Sequence, residues 1–182
     1  MKRKIVCFAL NFNKESKGFT LIELAIVLVI IGILMGAILR GQELIKSAKE
    51  KNFFSKLQLV ASAQLTYLDR IGRYAGDTTN PPDGIIDDNA TAWQELEKQQ
   101  LVHDNDKRHV FNGIFSFEGG ASPYTNYNRI NATRVPAWVA QSIDTKIDDG
   151  VANTGNVRWD GGNYGSVSDP NNAATLHWWF DR

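Results

Sequence analysis

A chain of 182 residues has room for one modest domain and an accessory segment, which excludes a multidomain machine. Its 20 basic and 20 acidic residues cancel, so bulk charge does not point to a nucleic-acid binder, which needs a concentrated basic surface. A single cysteine, Cys7, excludes a disulfide-stapled scaffold.

The zero net charge conceals an asymmetry. Residues 1–18 hold Lys2, Arg3, Lys4, Lys14 and Lys17 against Glu15, a balance of +4, which leaves −4 over residues 19–182. Cys7 falls in this basic segment, so removing the segment would leave no cysteine. Directly after Gly18, residues 19–39 form an apolar run holding one carboxylate, Glu23. About 20 apolar residues in a helix cover the hydrocarbon thickness of a bilayer. An acid within such a run is costly, and such groups are usually functional and paired. The basic flank keeps its end cytoplasmic. Cleavage after Gly18 would free the α-amino group of Phe19, a cation able to pair with Glu23 of a neighbouring copy.

The stretch Gly18-Phe19-Thr20-Leu21-Ile22-Glu23 closely resembles the cleavage and methylation motif of type IV prepilins and type II secretion pseudopilins. The resemblance is strong over about residues 14–70 and looser beyond. It implies that a prepilin peptidase in the inner membrane cuts after Gly18 and methylates Phe19, and that Glu23 guides docking into a growing filament. It divides the chain into a leader (1–18), a transmembrane and filament-core helix (19–39) and a pilin-like domain outside the cytoplasm (40–182). The implied partners are further copies of the chain in a filament, the peptidase, an inner-membrane assembly platform with its ATPase, and minor pilins. No cofactor is required. Many pilins of Gram-negative bacteria close their C-terminal loop with a disulfide; a chain whose one cysteine is in the leader departs from that pattern.

From Phe19 one helix is predicted to about Ile71. Beyond Arg40 its pattern becomes one-sided: Phe53, Leu57, Val60, Gln64, Leu68 and Ile71 recur at three- and four-residue steps beside Phe54, Ala61 and Leu65, the stripe of a helix lying on a core. Gly32, Gly36 and Gly41 punctuate the first half; their spacing permits close helix approach in a membrane, simple lipid-facing tolerance of glycine is the alternative, and any local unwinding in a filament is expected between Gly32 and Gly41. A turn-rich stretch follows, then a helix over 93–101 with a capping-box spacing at Thr91 and Gln94. Strands are expected over 110–117, with Phe111, Phe115 and Phe117 alternating, and over 124–130. Pro136 suits the first turn of a helix continued by Val139, Ile143 and Ile147. A short segment at 157–159 precedes a final apolar strand at 175–180. Helix first and antiparallel strands afterwards make an α+β fold.

Two acidic turns are candidate cation sites. The first offers Asp77, Asn80, Asp83, Asp87 and Asp88, an oxygen-rich set suited to calcium, although the EF-hand template does not fit it. Turn chemistry also explains these residues, because Asp, Asn, Pro and Gly are what turns need. In the second, Asp144, Asp148 and Asp149 run up to Gly150, where two acids sit at the negative end of a predicted helix and favour a cation nearby. Enzyme chemistry finds no support: His103, His109 and His177 are scattered, without zinc-site spacing, nucleophile elbow or phosphate loop. His177 beside Trp178, Trp179 and Phe180 reads as packing. Three functions are expected in descending order: a type IV pilin, a type II secretion pseudopilin, and a solitary membrane-anchored binding domain.

Overall fold

The structure is a computed structural model describing residues 18–164 and 172–182; the basic segment 1–17, with Cys7, lies outside the described residues. One helix, α1, runs Leu21–Ile71 without interruption through Gly32, Gly36 and Gly41. It is divided between two compact units, the first ending at Leu44 and the second comprising Ile45–Arg182. In the first unit every side chain over residues 21–40 is exposed.

In the second unit α1 buries Phe53, Leu57, Val60, Ala61, Ala63, Gln64 and Tyr67. The stripe therefore ends differently from the sequence expectation. Its steps alternate four and three, so after Gln64 it lands on Tyr67, leaving Leu68 half-buried and Leu65 and Ile71 exposed. Four antiparallel strands, β1 (Phe115–Gly119), β2 (Asn128–Pro136), β3 (Val157–Trp159) and β4 (Ala173–Trp179), form a sheet in the order β1-β2-β4-β3. Because side chains alternate across a strand, one face carries Phe115, Phe117, Ile130, Ala132, Leu176 and Val157. These join the core with the α1 stripe, and Phe53 meets Phe115 with ring centroids 5.7 Å apart. A third helix, α3 (Ala137–Ile147), adds Val139, Ala140 and Ile143 to that core. The opposite face carries Glu118, Arg129, Asn131, Arg158, His177 and Trp179.

Three element boundaries differ most from the sequence reading, each for a physical reason, and β4 is also shifted, spanning Ala173–Trp179 rather than 175–180. The second helix, α2, spans Asn89–Lys98 rather than 93–101, because Asp88 caps it: its Oδ2 accepts the Thr91 N–H at 2.7 Å. Strand β1 starts at Phe115 because the preceding residues turn. His109 N–H donates to Gly113 O at 3.2 Å, and a Cβ at Gly113 would lie 1.9 Å from Thr133 O. Strand β2 starts at Asn128, after turns closed by Tyr124 N–H to Ala121 O and Tyr127 N–H to Tyr124 O, and extends to Pro136.

Both sheet edges are covered. On β1, Phe117 N–H donates to Asn89 Oδ1 at 2.8 Å and Gly119 N–H to Ile86 O at 3.0 Å. On β3, Val157 N–H donates to Asp148 Oδ2 at 3.3 Å and Trp159 N–H to Ala152 O at 2.9 Å. Occupied edges do not template pairing with another sheet.

Candidate processing and assembly site

Gly18, Phe19 and Thr20 precede α1 and are exposed, Phe19 at 88%. A Cβ built on Gly18 meets nothing within 4 Å, so packing within this chain does not demand glycine there. Thr20 and Glu23 close the start of the helix reciprocally. Glu23 Oε2 accepts the Thr20 N–H and the Thr20 hydroxyl, both at 2.8 Å, while Thr20 Oγ1 accepts the Glu23 N–H at 3.3 Å. This is a capping box, which satisfies N–H groups that the first helical turn leaves free. Thr20 was legible in the sequence as the first residue of a T-x-x-E spacing, yet its partnership with Glu23 was not anticipated. Phe19, Leu24, Ile26 and Val27 surround the carboxylate with apolar surface. The helix is long and apolar enough to cross a membrane, and its most apolar window has no buried residue.

The first acidic turn spends its carboxylates on backbone and hydroxyl groups. Buried Asp77 accepts the Thr79 hydroxyl at 2.9 Å on one oxygen and the Gly84 N–H at 2.9 Å on the other. Asp83 accepts the Ile85 N–H at 2.9 Å, Asp87 the Thr78 N–H at 2.9 Å, and Asp88 caps α2. Asn80 is exposed beside them. Among the described residues, the three acids whose ligand atoms lie within 4.8 Å of one another are instead Asp144, Asp148 and Asp149, at the end of α3. Asp144 is fully buried and accepts the Tyr164 hydroxyl at 2.9 Å and the Gly150 N–H at 3.2 Å. Burial pushes its pKa up, and the Asp148 and Asp149 charges push the same way. The Tyr164 hydroxyl is driven up in turn, by burial first and then by Asp144. Asp148 accepts the Asn156 and Val157 N–H groups; Asp149, held low by the Thr154 hydroxyl at 2.6 Å, also accepts the Val151 N–H at 2.8 Å. No local signal pointed to Tyr164, which lies 20 residues beyond Asp144.

The histidines occupy separate environments. His103 is exposed before a single 3-10 turn. His109 lies in the core with its ring 4.9 Å from Phe53 and 5.0 Å from Phe115. There its Nε2 donates to Thr133 O at 2.9 Å and its Nδ1 accepts the Phe111 N–H at 3.4 Å, which fixes the tautomer. Burial lowers its pKa to about 4. His177 bridges Asn131 Oδ1 at 2.6 Å and Asp160 Oδ2 at 2.8 Å on the polar sheet face.

No curated protein and no solved structure matches the chain. Residues 13–39 match the family described as "Prokaryotic N-terminal methylation motif". That match covers Gly18, Phe19, Thr20 and Glu23 together with the exposed apolar part of α1. The chain thus carries the N-terminal signature of the type IV prepilins and pseudopilins.

Proposed function

We propose that the chain is a type IV pilin-like structural subunit, cut after Gly18, methylated at Phe19, and polymerised through α1 into a helical filament. One observation carries this reading: within the matched motif a lone carboxylate, Glu23, lies in the first turn of a helix whose apolar side chains are exposed all round over residues 21–40. Leaving such side chains in water costs roughly 1.5–3 kcal/mol for each Leu, Ile, Val or Phe. The helix therefore requires lipid or other helices around it, and assembly exchanges the first for the second. The domain from residue 40 onward stays outside the cytoplasm, and an ATP-driven platform draws subunits out of the inner membrane.

The capping box gives Glu23 a means of waiting. Thr20 occupies Oε2 within the single chain, while Oε1 has no partner among the described residues. Once residues 1–18 are removed, the Phe19 ammonium of an adjacent copy can bind that carboxylate in a dry environment, where a charge-assisted hydrogen bond is strongest. This sets the axial register of one subunit on the next. A pseudopilin is favoured by one feature, the absence of cysteine from residues 19–182, which leaves no disulfide to close a C-terminal loop.

Intact-mass measurement on membranes containing the peptidase tests processing. The expected product lacks residues 1–18 and carries one added methyl; Gly18→Trp should retain the precursor mass. Glu23→Ala should enter the membrane normally yet form few or no filaments by electron microscopy, and a normal filament yield would overturn the pairing role. Abundant surface filaments identify a pilin; loss of protein export on deletion, without them, identifies a pseudopilin.

A further inference from the structure

The polar face of the sheet contains a cleft of about 440 Å³ in the second compact unit. Register builds it: Arg129 of β2 lies opposite Trp179 of β4, and Arg158 of β3 opposite His177 of β4. Trp179 is only 1% exposed, although it stands outside the main core cluster. Two guanidiniums cover it instead, with Arg129 Cζ 5.3 Å and Arg158 Cζ 5.7 Å from the ring centroid, and Tyr124 packs edge-on at 5.3 Å. Its Nε1 is buried without a hydrogen-bond partner among the described residues.

The charges around the cleft are unequally matched. Arg129 is engaged by Glu118, whose Oε2 accepts Nε at 3.1 Å and Nη2 at 2.7 Å. Asp160 is engaged by His177. Arg158 differs, because among the described residues both of its hydrogen bonds go to neutral acceptors: Gly155 O at 3.3 Å and the Tyr124 hydroxyl at 3.2 Å. Its cation–π contacts with Trp179 and Tyr124 hold the guanidinium in place. Asp149 acts on Arg158 only through space, and a positioned guanidinium with no carboxylate hydrogen-bonded to it is a receptor for a planar oxyanion, since its fork matches two carboxylate oxygens.

We propose that this cleft binds a carboxylate-bearing sugar, with Arg158 holding the carboxylate and Asn153, Asp160 and Ser122 bonding the hydroxyls. Three features select this class. The volume lies within the roughly 300–1,000 Å³ of small-molecule sites. The rim offers donors and acceptors together, which hydroxyl groups require and a simple acid does not. Asp160, with 64% of its side chain exposed, repels a phosphate dianion more than a single carboxylate, and the guanidiniums over Trp179 deny a flat aromatic ligand its stacking face. The site is independent of filament assembly, so its failure would leave that reading untouched.

The test is calorimetric titration of the full chain, held in a zwitterionic detergent that carries no sugar, with glucuronate, glucose, acetate and inorganic phosphate. Glucuronate should bind saturably and at least tenfold more tightly than each of the other three. Arg158→Lys keeps the charge and the aliphatic stem but removes the fork, and should weaken glucuronate at least tenfold in protein that still unfolds cooperatively. Asn153→Ala, at an exposed position, should weaken it several-fold and serves as the second variant if Arg158→Lys does not fold. No saturable glucuronate binding, phosphate or glucose binding as tight as glucuronate, or unaltered affinity in the folded variants would overturn the proposal.

Discussion

Residues 21–40 and 53–67 belong to the same continuous helix, yet different environments govern them. In the first stretch every side chain is exposed although nearly all are apolar; in the second, seven side chains are buried on one stripe while the remaining positions stay half-buried or exposed. The first is apolar all round, the pattern of a helix whose partners lie outside its own chain, and the second is the one-sided pattern of a helix on a core. Apolar character alone therefore does not say where a helix is buried. Its angular distribution does: a stripe finds its partner in the same chain, whereas a full apolar coat calls for lipid or for other copies.

Matched leucine truncations should break or uphold this contrast most forcefully. Leu57→Ala, at a side chain with no exposure, should cost about 2–5 kcal/mol in urea unfolding of the full chain in detergent. Leu28→Ala, at 60% exposure, should leave that transition within about 0.5 kcal/mol. Equal costs would mean that the apolar segment also supports the folded domain. Next in size is the response of the core to acid. His109 titrates near 4 because burial opposes its charge and Lys56 adds to the effect, partly offset by the Thr133 carbonyl. A lowered folded-state value for a base means that the unfolded chain binds more protons between about 4 and 6.5. Stability is thus complete above that window and should fall by about 3 kcal/mol through it. Asp144 and Asp181, both raised by burial, act in the opposite sense and gain stability as the pH falls. The measurable quantity is therefore the difference in pH slope between the parent and His109→Gln, expected to be flatter in the variant. Third is Gln64→Ala. The Gln64 amide donates to Ala75 O at 3.2 Å and accepts the Ala75 N–H at 3.0 Å, both buried, so truncation strands two backbone groups and should cost about 1–3 kcal/mol.

What could be read from the sequence divides along a similar line. The N-terminal motif was legible because Gly18, Phe19 and Glu23 are close in sequence and the membrane-length run is composition alone. Helix α3 was legible too from the Val139–Ile143 spacing, although Pro136 ends β2 and stands at the N-cap rather than in the first turn. Misplaced boundaries arose where distant groups decided them. The sequence reading placed the cap of α2 at Thr91, whereas Asp88 caps it. The backbone of Gly76 holds Asp88 in that position by accepting the N–H groups of Asp87 at 2.9 Å and Asp88 at 3.1 Å. The turn before β1 depends on close approach to Thr133, and the cleft under Arg158 depends on the register of three strands; neither leaves a local mark in the sequence.

The smallest effect tests whether the two helix starts, one in each unit, serve the same purpose. Asp88 and the Thr20–Glu23 pair both satisfy first-turn N–H groups with a carboxylate, so as caps they are equivalent. Asp88 is exposed and acts only on its own helix. Asp88→Ala should lower the melting temperature by less than Gln64→Ala does, while Asp88→Asn, which retains an accepting oxygen, should restore most of it. Hydrogen bonds from Thr91 hold the Asp88 carboxyl below its ordinary value, so its contribution is present above that value and disappears as the pH falls through the lowered one. The Asp88→Asn variant should lack this acid dependence. Neither substitution should alter processing or filament yield. Glu23→Ala, by contrast, should leave the melting of the domain unchanged and reduce filaments, because this second carboxylate is expected to serve a neighbouring subunit as well as its own helix. A loss of domain stability from Glu23→Ala equal to that from Asp88→Ala, with filaments intact, would reduce Glu23 to an ordinary cap.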